Sequence, residues 1–169
     1  MQRAPQMTSS NLHLHHSQVD QAWIDYNGHM RDAFYGLVFS EAIDAFMDTV
    51  GIDQSYRQHT GGTIFTVEDH KFYVDECKLG DELVVESRVL DHDAKRWHLG
   101  QVLKRVQDGA VVCVCESMLL HVVQSPGQAT KTVPMADEIQ AKVAAFECSA
   151  EQLEQLSWRS GKIGIRRKG

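Results

Sequence analysis

The alternation of apolar and polar positions changes period along the chain, and each change marks an element. Residues 1–11 are polar and without periodicity, which reads as a flexible start, and Leu12 to Ala22 then alternates weakly, as a strand does. From Asp32 to Val50 the period becomes helical. Tyr35, Val38, Phe39, Ala42, Ile43, Phe46 and Val50 form a wide apolar stripe, Ser40, Glu41, Asp44 and Asp48 lie opposite, and Gly51 is the expected stop. A helix this apolar is enclosed by other structure. After a polar loop from Asp53 to Gly62 the period returns to two. Strands are predicted from Thr63 to Val74, through Leu83, Val85 and Val89, through Trp97, Leu99 and Leu103, and from Ala110 to Val123. Pro134 suits the first position of a helix carrying Ile139, Val143 and Phe146, and Ser149-x-x-Gln152 has the form of a capping box for a last short helix. One antiparallel sheet wrapped around one apolar helix satisfies this order, an α+β class without βαβ alternation or internal repeats.

The chain has 169 residues, which bounds it to one domain; 43% are hydrophobic and 24% charged, near the globular average, which excludes a disordered chain. We divide it into a flexible segment 1–11, a single domain 12–158 and a basic tail 159–169. The tail matters for charge. Arg159, Lys162, Arg166, Arg167 and Lys168 fall within it without an acid, so residues 1–158 carry twelve cations against twenty-three acids, a net −11 beneath the overall −6. An acidic body is unsuited to a nucleic-acid groove. No apolar run approaches the ~20 residues of a membrane span, and no leader precedes the four cysteines, so a reducing cytoplasm without disulfides is expected. Cys113 and Cys115 suit neighbours on one face of a strand better than a metal knuckle, and His13, His15 and His16 have no second cluster to complete a metal site, so no metal is expected. They read as a solvated approach to the first strand.

The informative chemistry is Asp25-x-Asn27-Gly28-His29-Met30, directly before the enclosed helix. A carboxylate there stands beside free backbone N–H groups and the positive end of the helix dipole. Such donors can hold an oxyanion while the carboxylate attacks a carbonyl or activates water, and Gly28 admits a close backbone approach. The same residues could instead do no more than cap the loop.

The pattern Val19-x-x-x-Trp23-x-Asp25-x-Asn27-Gly28-His29-Met30-x-x-x-x-Tyr35 resembles the signature of hotdog-fold acyl-CoA thioesterases of the 4-hydroxybenzoyl-CoA thioesterase branch. Val67-Glu68-Asp69-His70-x-Phe72, Leu79-Gly80-Asp81-x-Leu83 and Asp108-Gly109 extend the similarity over roughly residues 12–147. Within that branch the Trp-x-Asp-x-Asn-Gly-His-Met form looks most like the betainyl-CoA thioesterases of carnitine breakdown. The resemblance implies a hotdog fold, Asp25 as catalytic carboxylate, and backbone donors around Arg31 and Asp32, within a loop of Asn27, Gly28 and His29. Arg31-Asp32 departs from the Asn pair common at that point and sets a negative side chain at the helix start. The resemblance also implies dimers or tetramers with interfacial sites, acyl-CoA as substrate, and no cofactor beyond the coenzyme A of that substrate. Trp23, Tyr35 and Trp97 are expected acyl-pocket walls, joined by Tyr26, Phe34 and Phe72, and Glu68 and Asp69 add negative charge suited to a cationic acyl group. Glu68 is a second candidate catalytic carboxylate. A dehydratase would need a His on the central helix, which has none; a non-catalytic acyl-CoA-binding module is the alternative. The acidic body repels an anionic CoA ester at long range, so local cations, the basic tail among them, are expected to meet its phosphates.

Overall fold

The computed structural model describes residues 11–167, so all but one residue of the expected flexible start, and the last two of the basic tail, lie outside the described residues. In chain order the elements are β1 (His13–Gln18), a 3-10 turn (Gln21–Trp23), α1 (Asp32–Val50), α2 (Gln54–Thr60), β2 (Gly62–Tyr73), β3 (Glu82–His92), β4 (Arg96–Arg105), β5 (Val111–Val123), β6 (Lys131–Thr132), α3 (Asp137–Ala144) and α4 (Ala150–Glu154). The sheet runs β1-β3-β4-β5-β2 with every pairing antiparallel, and β6 adds to the end of β5.

α1 has the predicted bounds because its stripe finds the concave face of this sheet. Its first half, Tyr35, Val38, Phe39 and Ala42, packs with Leu83, Val85, Leu103, Val112, Cys113 and Cys115. Its second half, Phe46, Met47 and Val50, packs with Val89, Trp97, Leu99, Leu119 and the α3 residues Ile139 and Val143. Between the two clusters runs a polar row on three adjacent strands, Ser87, Gln101 and Cys115, in register. Gln101 donates through Nε2 to Ser87 Oγ at 3.1 Å and to the Phe39 carbonyl at 3.4 Å. Gly51, at φ 99°, closes α1 in the left-handed conformation that only glycine adopts cheaply, its N–H donating to Met47 and Asp48 carbonyls.

Four local expectations need correction. The first strand stops at Gln18, where Asp20 caps the 3-10 turn through the Ala22 N–H. His13, His15 and His16 are inside β1 rather than leading to it, and His13 packs edge-on against Phe46 with Nε2 3.1 Å from Thr49 Oγ1. The loop after α1 contains α2, started by Asp53 accepting from the Tyr56 N–H. Pro134 lies ahead of α3 because the next residue is pinned to the turn between β3 and β4: buried Met135 donates its N–H to the Ala94 carbonyl at 2.7 Å. The capping box of Ser149 and Gln152 forms as predicted.

The outer face of the sheet is covered by the end of the chain. Trp158 lies on Gly100, where an added Cβ would come within 2.8 Å of the indole. The Ser160 N–H donates at 2.6 Å to Glu116 Oε2, whose other oxygen bonds His98 Nε2 at 2.8 Å, with both side chains almost wholly buried. Ile163 is buried, and Arg167 forks onto both oxygens of Asp91. The basic segment, as far as Arg167, therefore runs along the sheet.

Candidate active site

Ile24 and Met30 bridge as an isolated antiparallel pair, and the loop they close carries Asp25. Its N–H donates to the His29 carbonyl at 2.9 Å, and its Oδ1 accepts from the N–H groups of Asn27 at 2.8 Å and His29 at 3.1 Å. These bonds, that of His29 foremost, hold the carboxyl below the usual carboxylate range, so Asp25 is an anion at neutral pH. Gly28 supports the loop through its φ of 81°, and an added Cβ would meet no protein atom within 4 Å.

The helix start differs in one donor from the expectation. Arg31 is the N-cap residue without a side-chain cap, and its own N–H is taken by the Trp23 carbonyl at 3.0 Å. The Met30 N–H goes to the Cys77 carbonyl at 2.8 Å and that of Phe34 to the Arg31 carbonyl. Of the four N–H groups at the helix start that have no partner within the helix, those of Asp32 and Ala33 are left among the described residues, while that of Arg31 is engaged.

A cavity of about 310 Å³ opens at this helix end, lined by Met30, Asp32, Tyr35, Tyr73, Val74, Asp75 and Glu76. Tyr35 organises it. Buried in the first turns of α1, its hydroxyl accepts from the Cys77 N–H at 3.2 Å, lies 3.4 Å from the Asp75 carbonyl, and its ring meets Tyr73 edge-on at 5.3 Å; burial raises its pKa and keeps the phenol neutral. Arg105 fastens the far wall, reaching Asp75 Oδ2 at 3.0 Å and the Glu76 carbonyl at 2.7 Å, and Glu76 lies 3.3 Å from His29. Three carboxylates and two phenol rings thus surround one opening beside a helix N-terminus.

The remaining predicted residues separate. Trp23 stacks on Phe34 at 5.5 Å and supports the loop from behind, while Tyr26 projects from its tip. Trp97 is fully buried in the cluster around the second half of α1, against Phe46 and Met135, so it is a core residue and no pocket wall. Strand β2 explains Glu68 and Asp69. A bulge between Thr66 and Glu68 shifts its parity, so that Asp69, Lys71 and Tyr73 face α1, opposite Ser117, Cys115 and Cys113, and Glu68 points outward to His70 at 3.4 Å. Glu68 is thereby turned away from the loop. Asp69 enters a second cavity of about 180 Å³ between α1 and β2, where it binds Lys71 at 2.6 Å. Sequence reasoning missed Tyr73, Asp75 and Glu76; the odd-numbered spacing of Asp69, Lys71 and Tyr73 was the available signal.

Among the described residues no group of three metal-ligating side chains comes together, and no helix is long and apolar enough to cross a membrane. All four cysteines are free and buried.

Comparison with known proteins agrees with this geometry. The sequence profile of the Thioesterase-like superfamily matches residues 19–143. A betainyl-CoA thioesterase of Pseudomonas aeruginosa is 39% identical over 139 residues, covering 82% of this chain and 85% of that protein. An L-carnitine dehydrogenase/betainyl-CoA thioesterase of Rhizobium meliloti is 36% identical over 94% of this chain, which spans 31% of that longer protein. A Staphylococcus aureus protein solved in complex with CoA superposes with a TM-score of 0.75 at 27% identity, covering 96% of this chain and 100% of that one. With one long helix held in an antiparallel sheet and a carboxylate loop at its start, the chain belongs to the Thioesterase-like superfamily of hotdog fold and is a thioester hydrolase.

Proposed function

We propose that the chain hydrolyses betainyl-CoA, a CoA thioester whose short acyl group carries a quaternary ammonium. The observation that carries this is the ionised Asp25, held in the loop that leads directly into the N-terminus of α1, where the Arg31 cap has no side-chain hydrogen bond. The thioester oxygen points at the N–H groups of Asp32 and Ala33, which stabilise the growing negative charge; one such donor is worth about 3 kcal/mol. Asp25 either attacks the carbonyl carbon, forming an anhydride that water then hydrolyses to free the acid and regenerate the carboxylate, or takes a proton from the attacking water. The C–S bond breaks, and CoA leaves as the thiol with a proton that derives from water. No metal or prosthetic group enters these steps. The name of the Pseudomonas relative suggests the acyl group, and the cavity suits it: phenol faces at Tyr35 and Tyr73 together with the carboxylates of Asp32, Asp75 and Glu76 are what a trimethylammonium group prefers.

The cavity is open on one side, and β2 forms an edge of the sheet that carries exposed Phe65, Val67, Phe72 and Tyr73. An exposed apolar edge of twelve residues is an aggregation hazard unless covered, which supports a homodimer joined along β2 with the cavities at the interface. The CoA phosphates then meet local cations at the rim.

Thiol release from a panel of acyl-CoA esters tests the reading. Asp25→Asn is expected to lower kcat at least 100-fold. Betainyl-CoA is expected to outpace 3,3-dimethylbutanoyl-CoA, its neutral isostere, and equal turnover of the two refutes the cationic preference. Tight CoA-ester binding without thiol release by the wild-type chain would favour the binding-module alternative.

A further inference from the structure

The two cavities lie one after the other along the seam between α1 and β2. On α1 the walls run from Asp32 and Tyr35 in the first to Gly36, Phe39, Ser40 and Ile43 in the second; on β2 they run from Tyr73 to Lys71, Asp69 and Thr66. Lys71 stands at the boundary. Its stem crosses α1 at Gly36, where an added Cβ would sit 3.7 Å from Lys71 Cε, an ordinary contact. A larger side chain on the helix would leave the lysine no room to lie there. The Lys71 side chain is only 19% exposed, an unusual burial for a long cation, and the Asp69 carboxylate 2.6 Å from its ammonium holds it in place. Gly36 follows the donors of Asp32 and Ala33 by three to four residues, about 6 Å along the helix.

We infer that Lys71, laid over Gly36 and anchored by Asp69, is a bar across the acyl channel that confines the site to short acyl groups. This rests on the thioesterase reading and assigns it a length filter. A betainyl or butyryl group ends in front of the bar; a six- or eight-carbon chain runs into the lysine stem. Beyond the bar the second cavity, with its apolar walls Phe39 and Ile43, is the space a longer chain would take. Asp69 acts through Lys71 and is a positioning residue.

The test uses the full chain and two substitutions. Lys71→Ala removes the bar; Lys71→Met keeps most of its length and loses the anchoring charge. Hydrolysis of acetyl-, butyryl-, hexanoyl- and octanoyl-CoA gives the chain-length profile, and calorimetric titration with the thioethers S-ethyl-CoA and S-hexyl-CoA reads the same selectivity without catalysis. Lys71→Ala is expected to raise the hexanoyl-to-acetyl ratio of kcat/KM and the S-hexyl-to-S-ethyl ratio of affinity about ten-fold, with Lys71→Met in between. A folded Lys71→Ala protein whose two ratios stay within two-fold of wild type overturns the bar. Absence of betainyl-CoA hydrolysis by the wild type, together with a shifted thioether ratio in Lys71→Ala, overturns the thioesterase reading and leaves the length filter standing.

Discussion

Removing His98 is the sharpest test of how the outer face is built. His98 on β4 and Glu116 on β5 are exposed by only 2% and 1%, and they meet at 2.8 Å beneath the chain's end. Burial lowers the His98 pKa despite the neighbouring carboxylate, with Arg159 adding to the effect. The bonds from Ser160 and His98 hold Glu116 below its usual range against the effect of burial. The pair is thus a neutral imidazole donating to a carboxylate. His98→Leu fills the space and leaves the buried Glu116 carboxylate with Ser160 as its one donor, a lost charge-assisted hydrogen bond that costs about 2–3 kcal/mol. For a domain of this size that is a fall in Tm of roughly 7 °C. The double variant His98→Leu, Glu116→Leu removes charge and partner together and should recover most of the loss. The pH dependence has a definite sign. The folded state holds His98 with a pKa below the ordinary 6.5, so the unfolded chain binds the proton first and stability declines as pH falls below about 6.5. Glu116 adds to the decline below its ordinary 4.5, because its carboxylate is favoured in the folded state. Calorimetric melts of the wild type, His98→Leu, Glu116→Leu and the double variant, between pH 4 and 8, measure both. A His98→Leu protein melting within 2 °C of wild type, or a melting temperature independent of pH between 7 and 5.5, refutes this account.

Two further substitutions separate core from site. Trp97→Phe, which removes the indole donor to Met135 Sδ and part of a packed ring, should cost about 2 kcal/mol in denaturant titration while the betainyl-to-neutral ratio stays at its wild-type value. A changed ratio would return Trp97 to the pocket. Arg105→Ala releases Asp75 and the Glu76 carbonyl and should lower kcat/KM on the order of ten-fold through mispositioned cavity walls, with Tm changing by no more than a few degrees. Steady-state assays and melts on one preparation check it.

The sequence carried the parts of this molecule that local periodicity encodes. α1 was legible to the residue because a wide apolar stripe ends at a glycine that must adopt positive φ. The Ser149 capping box was legible because its partners are three residues apart. What periodicity cannot encode was lost. The bulge in β2 inserts one residue and inverts the side chains that follow, so Glu68 and Asp69 exchange faces relative to an unbroken alternation. Trp97 alternates correctly, yet whether an inward residue meets the core or the cavity depends on its distance along α1, a tertiary fact. The N–H of Arg31 is taken by Trp23, eight residues earlier, which only the folded loop brings near.

The strap over the outer face also gives this domain an order of completion. Glu116 and His98 are synthesised more than forty residues before Ser160, and the five long strands are out of the ribosome while the buried carboxylate still lacks its backbone donor. A nascent chain can pair its strands and seat α1 before then, with the outer face wet and the ion pair solvated. Arrival of Trp158 and Ser160 expels that water and turns a hydrated pair into a buried one. A chain cut before Trp158 would therefore have its sheet assembled around α1 and its outer face unsealed, a state that proteolysis of the uncovered strands would report.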